Sequence, residues 1–137
     1  MLRHLPYRLQ PKVKRVLAFR LDRELRDCDK DIMALFGISD FVHDWEDTWE
    51  WVEGTSAERI YVNVSRTHNQ ITGNYDVPVL VDVCGPESLL AGELFSGYAQ
   101  RLANSLKTEV WLGKVVHGEN KYRYDFEIER RFAPVAS

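Results

Sequence analysis

Two segments in the middle of the chain have the hydrophobic patterns of β-strands. In residues 59–65, Ile60, Val62 and Val64 alternate with polar side chains, which is typical of a strand with one buried face. Residues 78–84 are apolar on both faces, which indicates a strand at the centre of a sheet. The intervening residues 66–76 are rich in Asn, Gly and Asp, so a loop is predicted there.

The C-terminal region predicts an antiparallel hairpin. Its strands, residues 109–117 and 121–132, flank the turn-like sequence Gly118-Glu119-Asn120. The second strand alternates throughout, which predicts one wet face. Its apolar face would consist of Tyr122, Tyr124, Phe126, Ile128 and Phe132.

Two helices are predicted. The first is short, is capped by Asp29 or Asp31, and ends at Gly37 in the left-handed C′ position. Its apolar residues are Ile32, Met33, Leu35 and Phe36. The second spans roughly residues 87–107, follows Gly85-Pro86, and carries an apolar residue at every fourth position. This stripe consists of Leu90, Leu94, Tyr98, Leu102 and Leu106, with Ala91, Phe95, Ala99 and Ala103 beside it.

Two further segments are ambiguous between strand and helix. Residues 13–21 alternate as a strand would, yet the leucines from residue 17 to 25 keep helical spacing; the strand is preferred. Residues 41–53 fit a single extended strand, with a helical turn through Trp45, Trp49 and Val52 as the alternative. In the extended form one face would hold Phe41, His43, Trp45, Trp49 and Trp51, and the other Asp44, Glu46, Thr48 and Glu50.

The order of these elements predicts an α+β fold. We expect a largely antiparallel sheet of about five to six strands, with one long and one short helix packed on one face. The 137 residues fit a single domain, 1–137, in which 1–12 form a loosely ordered arm because Pro6 and Pro11 interrupt any period.

Composition narrows the class of protein. Hydrophobic residues make up 45% of the chain, enough for a core, but no apolar run approaches the roughly 20 residues that cross a bilayer. The N-terminus lacks the apolar stretch of a secretory signal, and two cysteines are too few for a disulfide framework. We therefore expect a cytoplasmic protein.

Charge is distributed unevenly along the chain. Residues 1–30 contain nine Lys or Arg and four Asp or Glu, whereas residues 40–58 contain seven acids and no Lys or Arg. Three of the four tryptophans fall in this acidic stretch. Because the sequence pI is near 5.8 and the chain has no recognised binding signature, we do not expect nucleic acid as a partner.

The acidic-aromatic stretch is the first candidate site. Aromatic anchors surrounded by acids are suited to docking a basic protein, although a solvated sheet face above core tryptophans would produce the same pattern. The acids lack the register of a cation-binding loop, so no metal is expected. The predicted partner-binding residues are Asp44, Trp45, Glu46, Asp47, Trp49, Glu50 and Glu53.

A second candidate is an enzymatic site in the loop at residues 65–76. Arg66 could hold an anion while His68 acts as a base beside Asp76, as in a small hydrolase or nuclease-like enzyme. The alternative is a polar loop whose side chains bond their own backbone. No catalytic motif or ligand spacing supports an enzyme or a cofactor, so binding is favoured over catalysis. A homodimer through a sheet edge is a third possibility.

Four features of the chain occur together: the acidic-aromatic sequence DWEDTWEWVEG, the following YVNVSRTHN, the strand YDVPVLVDV and the long helix. In this layout the chain resembles the small orphan immunity proteins of bacterial polymorphic-toxin and contact-dependent inhibition systems. The resemblance implies an antitoxin that binds a cognate toxin domain and blocks it. The acidic segment would then contact a basic, often nuclease, partner.

Overall fold

A computed structural model describes residues 5–46, 49–67, 77–117 and 124–135. It confirms an α+β fold with an antiparallel sheet, of seven strands rather than five or six, in the order β2-β3-β4-β5-β1-β6-β7. The strands are β1 Lys12–Phe19, β2 Val42–Glu46, β3 Trp49–Thr55, β4 Tyr61–Thr67, β5 Val79–Pro86, β6 Val110–His117 and β7 Tyr124–Phe132. The helices are α1 Asp29–Phe36 and α2 Gly92–Leu106.

Both helices pack on one side of the sheet, which we call the helix face. Phe95 of α2 and Ile32 of α1 are fully or almost fully buried there against Leu17 and Val62 of the sheet. The two helices also touch, because the rings of Phe36 and Tyr98 lie 5.2 Å apart. Burying each large apolar side chain stabilises the fold by about 1.5–3 kcal/mol, so this core supplies much of the stability.

The ambiguous segment after residue 12 is a strand at the centre of the sheet. β1 pairs with β5 along its whole length and with β6 over Val16–Phe19. Leu17 and Phe19 enter the core of the helix face, while Ala18 is buried on the opposite side, which we call the open face. Burial on both faces explains why the apolar pattern of this segment also fits a helix.

The beginnings of both helices differ from the prediction. Gly37 ends α1 in the left-handed region with φ of 71°, as expected, but Cys28 occupies the N-cap and no side chain caps the helix. The predicted cap Asp29 instead accepts a hydrogen bond from Arg26 Nε at 2.9 Å. Ahead of α2, Gly85 and Pro86 still belong to β5, and residues 87–89 form a short 3-10 turn, so α2 starts later than expected.

The predicted apolar stripe of α2 is partly wrong. Leu94 is 44% exposed, whereas Phe95, Ala99, Leu102 and Ala103 are buried. Every fourth residue advances about 400° around a helix, so a strict four-residue repeat drifts off the buried side by about 40° at each step. The buried stripe therefore combines steps of three and four residues.

A β-bulge in β7 places the apolar residues of this strand on both faces of the sheet. Leu112 pairs with Arg130 but Gly113 pairs with Ile128, which leaves Glu129 as the extra residue. Phe132 therefore packs in the core of the helix face, and Tyr124 lies in a second cluster on the open face. The prediction that all the apolar residues of this strand share one face is wrong, because a bulge changes the parity.

Beyond the bulge, the β6–β7 hairpin folds across the open face. A Cβ on Gly113 would lie 1.9 Å from the carbonyl oxygen of Glu127, so glycine is required where the two strands approach so closely. The Tyr124 ring stacks on Trp49 of β3 with centroids 5.3 Å apart. Four residues of β6 extend roughly 13 Å, close to the ~14 Å that separates β1 from β3 across a sheet. The hairpin thus covers part of the open face.

Candidate protein-binding surface

The acidic-aromatic segment forms a β-hairpin rather than one strand. β2 and β3 pair antiparallel, with Trp45 opposite Glu50 and Glu46 opposite Trp49. Residues directly opposite each other share a face, so Trp49 and Trp51 lie with the acids of β2 and Trp45 lies on the other side. The single-strand prediction, which placed the tryptophans together, is wrong because the chain reverses between residues 46 and 49.

The open face of this hairpin presents acids to solvent. Asp44 and Glu46 of β2 are exposed, and Glu53 of β3 is half-buried. Side chains of directly opposed residues lie about 5 Å apart, which brings Asp44 next to Trp51 and Val42 next to Glu53. We call this set the acidic surface. It comprises Asp44, Glu46 and Glu53 with the apolar groups of Val42, Trp51 and Tyr61.

Polar contacts hold the centre of the acidic surface in place. The Tyr61 hydroxyl donates to Glu53 Oε2 at 3.3 Å, and the Asn63 amide donates to the same oxygen at 3.4 Å. Burial raises the pKa of Tyr61 above its ordinary value; the hydrogen bond with Asn63 opposes this shift, and the charge of Glu53 adds to it. Glu53 is therefore anchored across β3 and β4, whereas Asp44 and Glu46 lie at the sheet edge.

Trp45 projects from the other side of the edge strand. Its side chain is 64% exposed, and its ring lies 5.5 Å from that of His43. Its backbone N–H donates to Asp44 Oδ1 at 2.8 Å. An exposed indole on an edge strand provides a large apolar contact area without needing a change in the fold.

Glu50 is buried on the helix face, away from the acidic surface. It is 9% exposed, and its Oε2 lies 2.7 Å from His43 Nε2. In the neighbouring strand Arg66 is 2% exposed and donates to the carbonyls of Leu21 and Arg23 at 2.6 and 2.7 Å. These contacts tie the loop before α1 to the sheet, so both side chains hold the fold together.

Of the predicted site residues that remain, only Trp49 is described. Trp49 is half-buried in the stack with Tyr124, whose pKa is raised by burial and whose hydroxyl donates to the Pro78 carbonyl. Asp47, His68 and Asp76 lie outside the described residues, so the enzymatic site stays a prediction of which only Arg66 is described.

A groove on the open face was not anticipated from the sequence. It has a volume of about 420 Å³ and lies between β1 and the folded β6–β7 hairpin. Lys14 and Asp82 form an ion pair of 3.4 Å at its wall. The groove exists because β6 leaves β1 after Gly113, and a bulge of this kind has no signal in a single sequence.

The described residues contain no cluster of three or more His, Cys, Asp or Glu side chains that could hold a metal ion. Cys28 is buried, and burial followed by the charge of Asp29 raises its pKa to about 12. A thiol with so high a pKa is not a nucleophile at neutral pH.

Comparison with protein-family models, with curated proteins and with solved structures found no match for this chain. Among the described residues, none of the helices has the length and apolar character needed to cross a membrane.

Proposed function

We propose that this chain is a protein-binding module of the inhibitor or immunity type, which docks a basic partner protein on the acidic surface. The observation that carries this proposal is the solvent exposure of Asp44 and Glu46 on the open face of the β2–β3 hairpin. The helices pack on the opposite side of the sheet, and within the described residues the β6–β7 hairpin reaches over the open face to Trp49. Asp44 and Glu46 remain exposed beside that contact.

The physical case rests on the combination of charge and apolar area. Exposed carboxylates steer a basic partner and accelerate its association, while Val42, at 66% exposure, and Tyr61, at 37%, provide area that a partner can desolvate. Glu53 is held between Tyr61 and Asn63, so it loses little freedom when a cation binds. These features suit recognition of Lys- or Arg-rich protein surfaces.

The layout resemblance to bacterial immunity proteins supports a narrower form of the proposal. In that form the chain is a cytoplasmic antitoxin, and the partner is a basic toxin domain that it blocks by direct binding. A toxin gene next to the gene for this chain would favour this form over an inhibitor of another kind.

The test is a comparison of charge reversals on two edges of the sheet. The variant Asp44→Lys/Glu46→Lys changes the acidic surface, and Asp125→Lys/Glu129→Lys makes the same change in net charge on exposed positions of β7. Partners are captured from the native lysate on each immobilised protein and identified, and the affinity of the purified partner is measured by calorimetry.

We expect the wild type and the β7 variant to retain the same basic protein with similar affinity. The acidic-surface variant should bind it about 100-fold more weakly, since close charge pairs in such complexes couple by about 1.5–7 kcal/mol. Equal loss in both variants would mean that net charge alone acts, and unchanged affinity would remove the acidic surface as the docking site.

A further inference from the structure

The outer edge of β2 is open within the described residues. β2 pairs with β3 on one side and ends the sheet order on the other. Natural edge strands usually carry Lys, Pro or a bulge, which prevents other strands from pairing with them. β7, at the opposite edge, has a bulge, whereas β2 pairs with β3 without a register shift and its sequence, VHDWE, has neither Lys nor Pro.

The direction of one backbone N–H shows how the β2 edge is arranged. The N–H of Trp45 donates to the Asp44 carboxylate at 2.8 Å and therefore does not belong to the ladder with β3. In an antiparallel pair the outward backbone groups recur at every second residue, so His43 presents its N–H on the same side. The Asp44 side chain thus caps an N–H that an incoming strand would use.

The charges of Asp44 and Glu46 favour pairing of β2 with a basic strand. A second copy of β2 aligned antiparallel about its centre would place Asp44 against Asp44, and like charges directly opposite each other destabilise a sheet. A strand with Lys or Arg at alternate positions would instead place its cations beside Asp44 and Glu46. Its intervening side chains would lie on the same side as Trp45.

We infer that the partner adds an extended basic strand to the outer edge of β2. A cation of that strand attracts the Asp44 carboxylate away from the Trp45 N–H, and this N–H then bonds to the partner backbone. The inference rests on the proposed function and names the segment of the partner that the acidic surface recognises. Main-chain pairing supplies affinity, and the alternating cations supply specificity.

The probe is a synthetic peptide of alternating Lys and Val. In the expected register each Lys lies beside an acid of β2, and each Val has its N–H directed at the β2 edge. Methylating the Val nitrogens therefore blocks strand pairing and keeps every charge. The unmethylated peptide should bind at least about tenfold more tightly, as expected for the loss of about two hydrogen bonds. A Glu-Val peptide serves as the charge control and should not bind.

Two variants examine the same bond from the protein side. Trp45→Ala and Trp45→Pro both lose the indole, but only proline lacks the N–H, and proline is tolerated on an edge strand whose N–H faces solvent. The proline variant should bind the Lys-Val peptide about tenfold more weakly than the alanine variant. In the wild type, peptide binding should slow the hydrogen exchange of the Trp45 and His43 amides, measured by NMR. If Trp45→Pro fails to fold, the methylated peptide and amide exchange decide the question.

The outcomes separate this inference from the proposed function. Equal binding of the two Lys-Val peptides with unchanged exchange at Trp45, but loss of binding in Asp44→Lys/Glu46→Lys, would overturn strand addition and leave acidic docking intact. Binding that ignores the charge reversals would overturn both. A dimer of the free protein that Trp45→Pro dissolves would identify a second copy as the occupant and overturn the basic strand.

Discussion

The two sides of the β2–β3 hairpin carry the same kinds of side chain in opposite environments. On the helix face Glu50 is 9% exposed and paired with His43, whereas on the open face Asp44 and Glu46 are exposed to solvent. The tryptophans show the reverse pattern, since Trp49 on the open face is stacked on Tyr124 and Trp45, on the side of Glu50, is 64% exposed. The neighbours that pack against each side chain, rather than its residue type, separate the side chains that hold the fold from those available to a partner.

The sharpest test of this comparison is the same substitution on each side. Glu50→Lys places a cation in a buried region that already contains Arg66, so it should lower the free energy of unfolding by about 3–5 kcal/mol. Glu46→Lys, at an exposed position of the edge strand, should change it by less than about 0.5 kcal/mol. Urea unfolding monitored by tryptophan fluorescence measures both, and similar losses in the two variants would contradict the division.

The sequence predicts those parts of the fold that depend on local interactions, and it does not predict those that depend on contacts between distant segments. Alternation in β4 and the glycine at residue 37 are local signals, and the structure confirms both. The bulge opposite Gly113 and the fold of the β6–β7 hairpin over the open face depend on contacts between distant segments, such as Trp49 with Tyr124. Single-sequence patterns do not contain that information.

The candidate site illustrates the same limit on a smaller scale. Charge and aromatic content located the acidic segment, but dividing its side chains between two faces required the position of the chain reversal. With the reversal between residues 46 and 49, Glu50 leaves the predicted surface set and Tyr61 and Val42 join it. One misplaced turn changes the parity of every residue after it.

The tryptophans provide the next test, with a smaller expected effect. Trp49→Ala removes the stack with Tyr124, which holds the β6–β7 hairpin over the sheet, and should cost about 2–4 kcal/mol of unfolding free energy. Trp45→Ala should cost less than about 1 kcal/mol because most of that side chain is already in water. Thermal unfolding at one protein concentration compares the two. A larger loss for Trp45 would show that the edge strand is packed more tightly than its exposure indicates.

The smallest expected effect on the free energy of unfolding comes from the buried carboxyl group of Asp29 in α1. Burial raises the pKa of Asp29 above 3.8, even though the bond from Arg26 and the charge of His43 oppose the shift and Asp27 adds to it. Its Oδ1 has no hydrogen-bond partner among the described residues, so the ionised form is poorly satisfied. With a raised pKa the folded state binds the proton more tightly than the unfolded chain. Ionisation of Asp29 therefore lowers stability as pH rises from 3.8 through the raised value.

Asp29→Asn removes this titration while keeping the size of the side chain. The free energy of unfolding of the Asn variant, relative to the wild type, should increase as pH rises from 3.8 through the raised pKa, and urea unfolding at several pH values between about 4 and 6 measures it. If the relative stability of Asp29→Asn instead falls with pH, the Arg26 bond outweighs burial, and Asp29 stabilises the helix face in its ionised form.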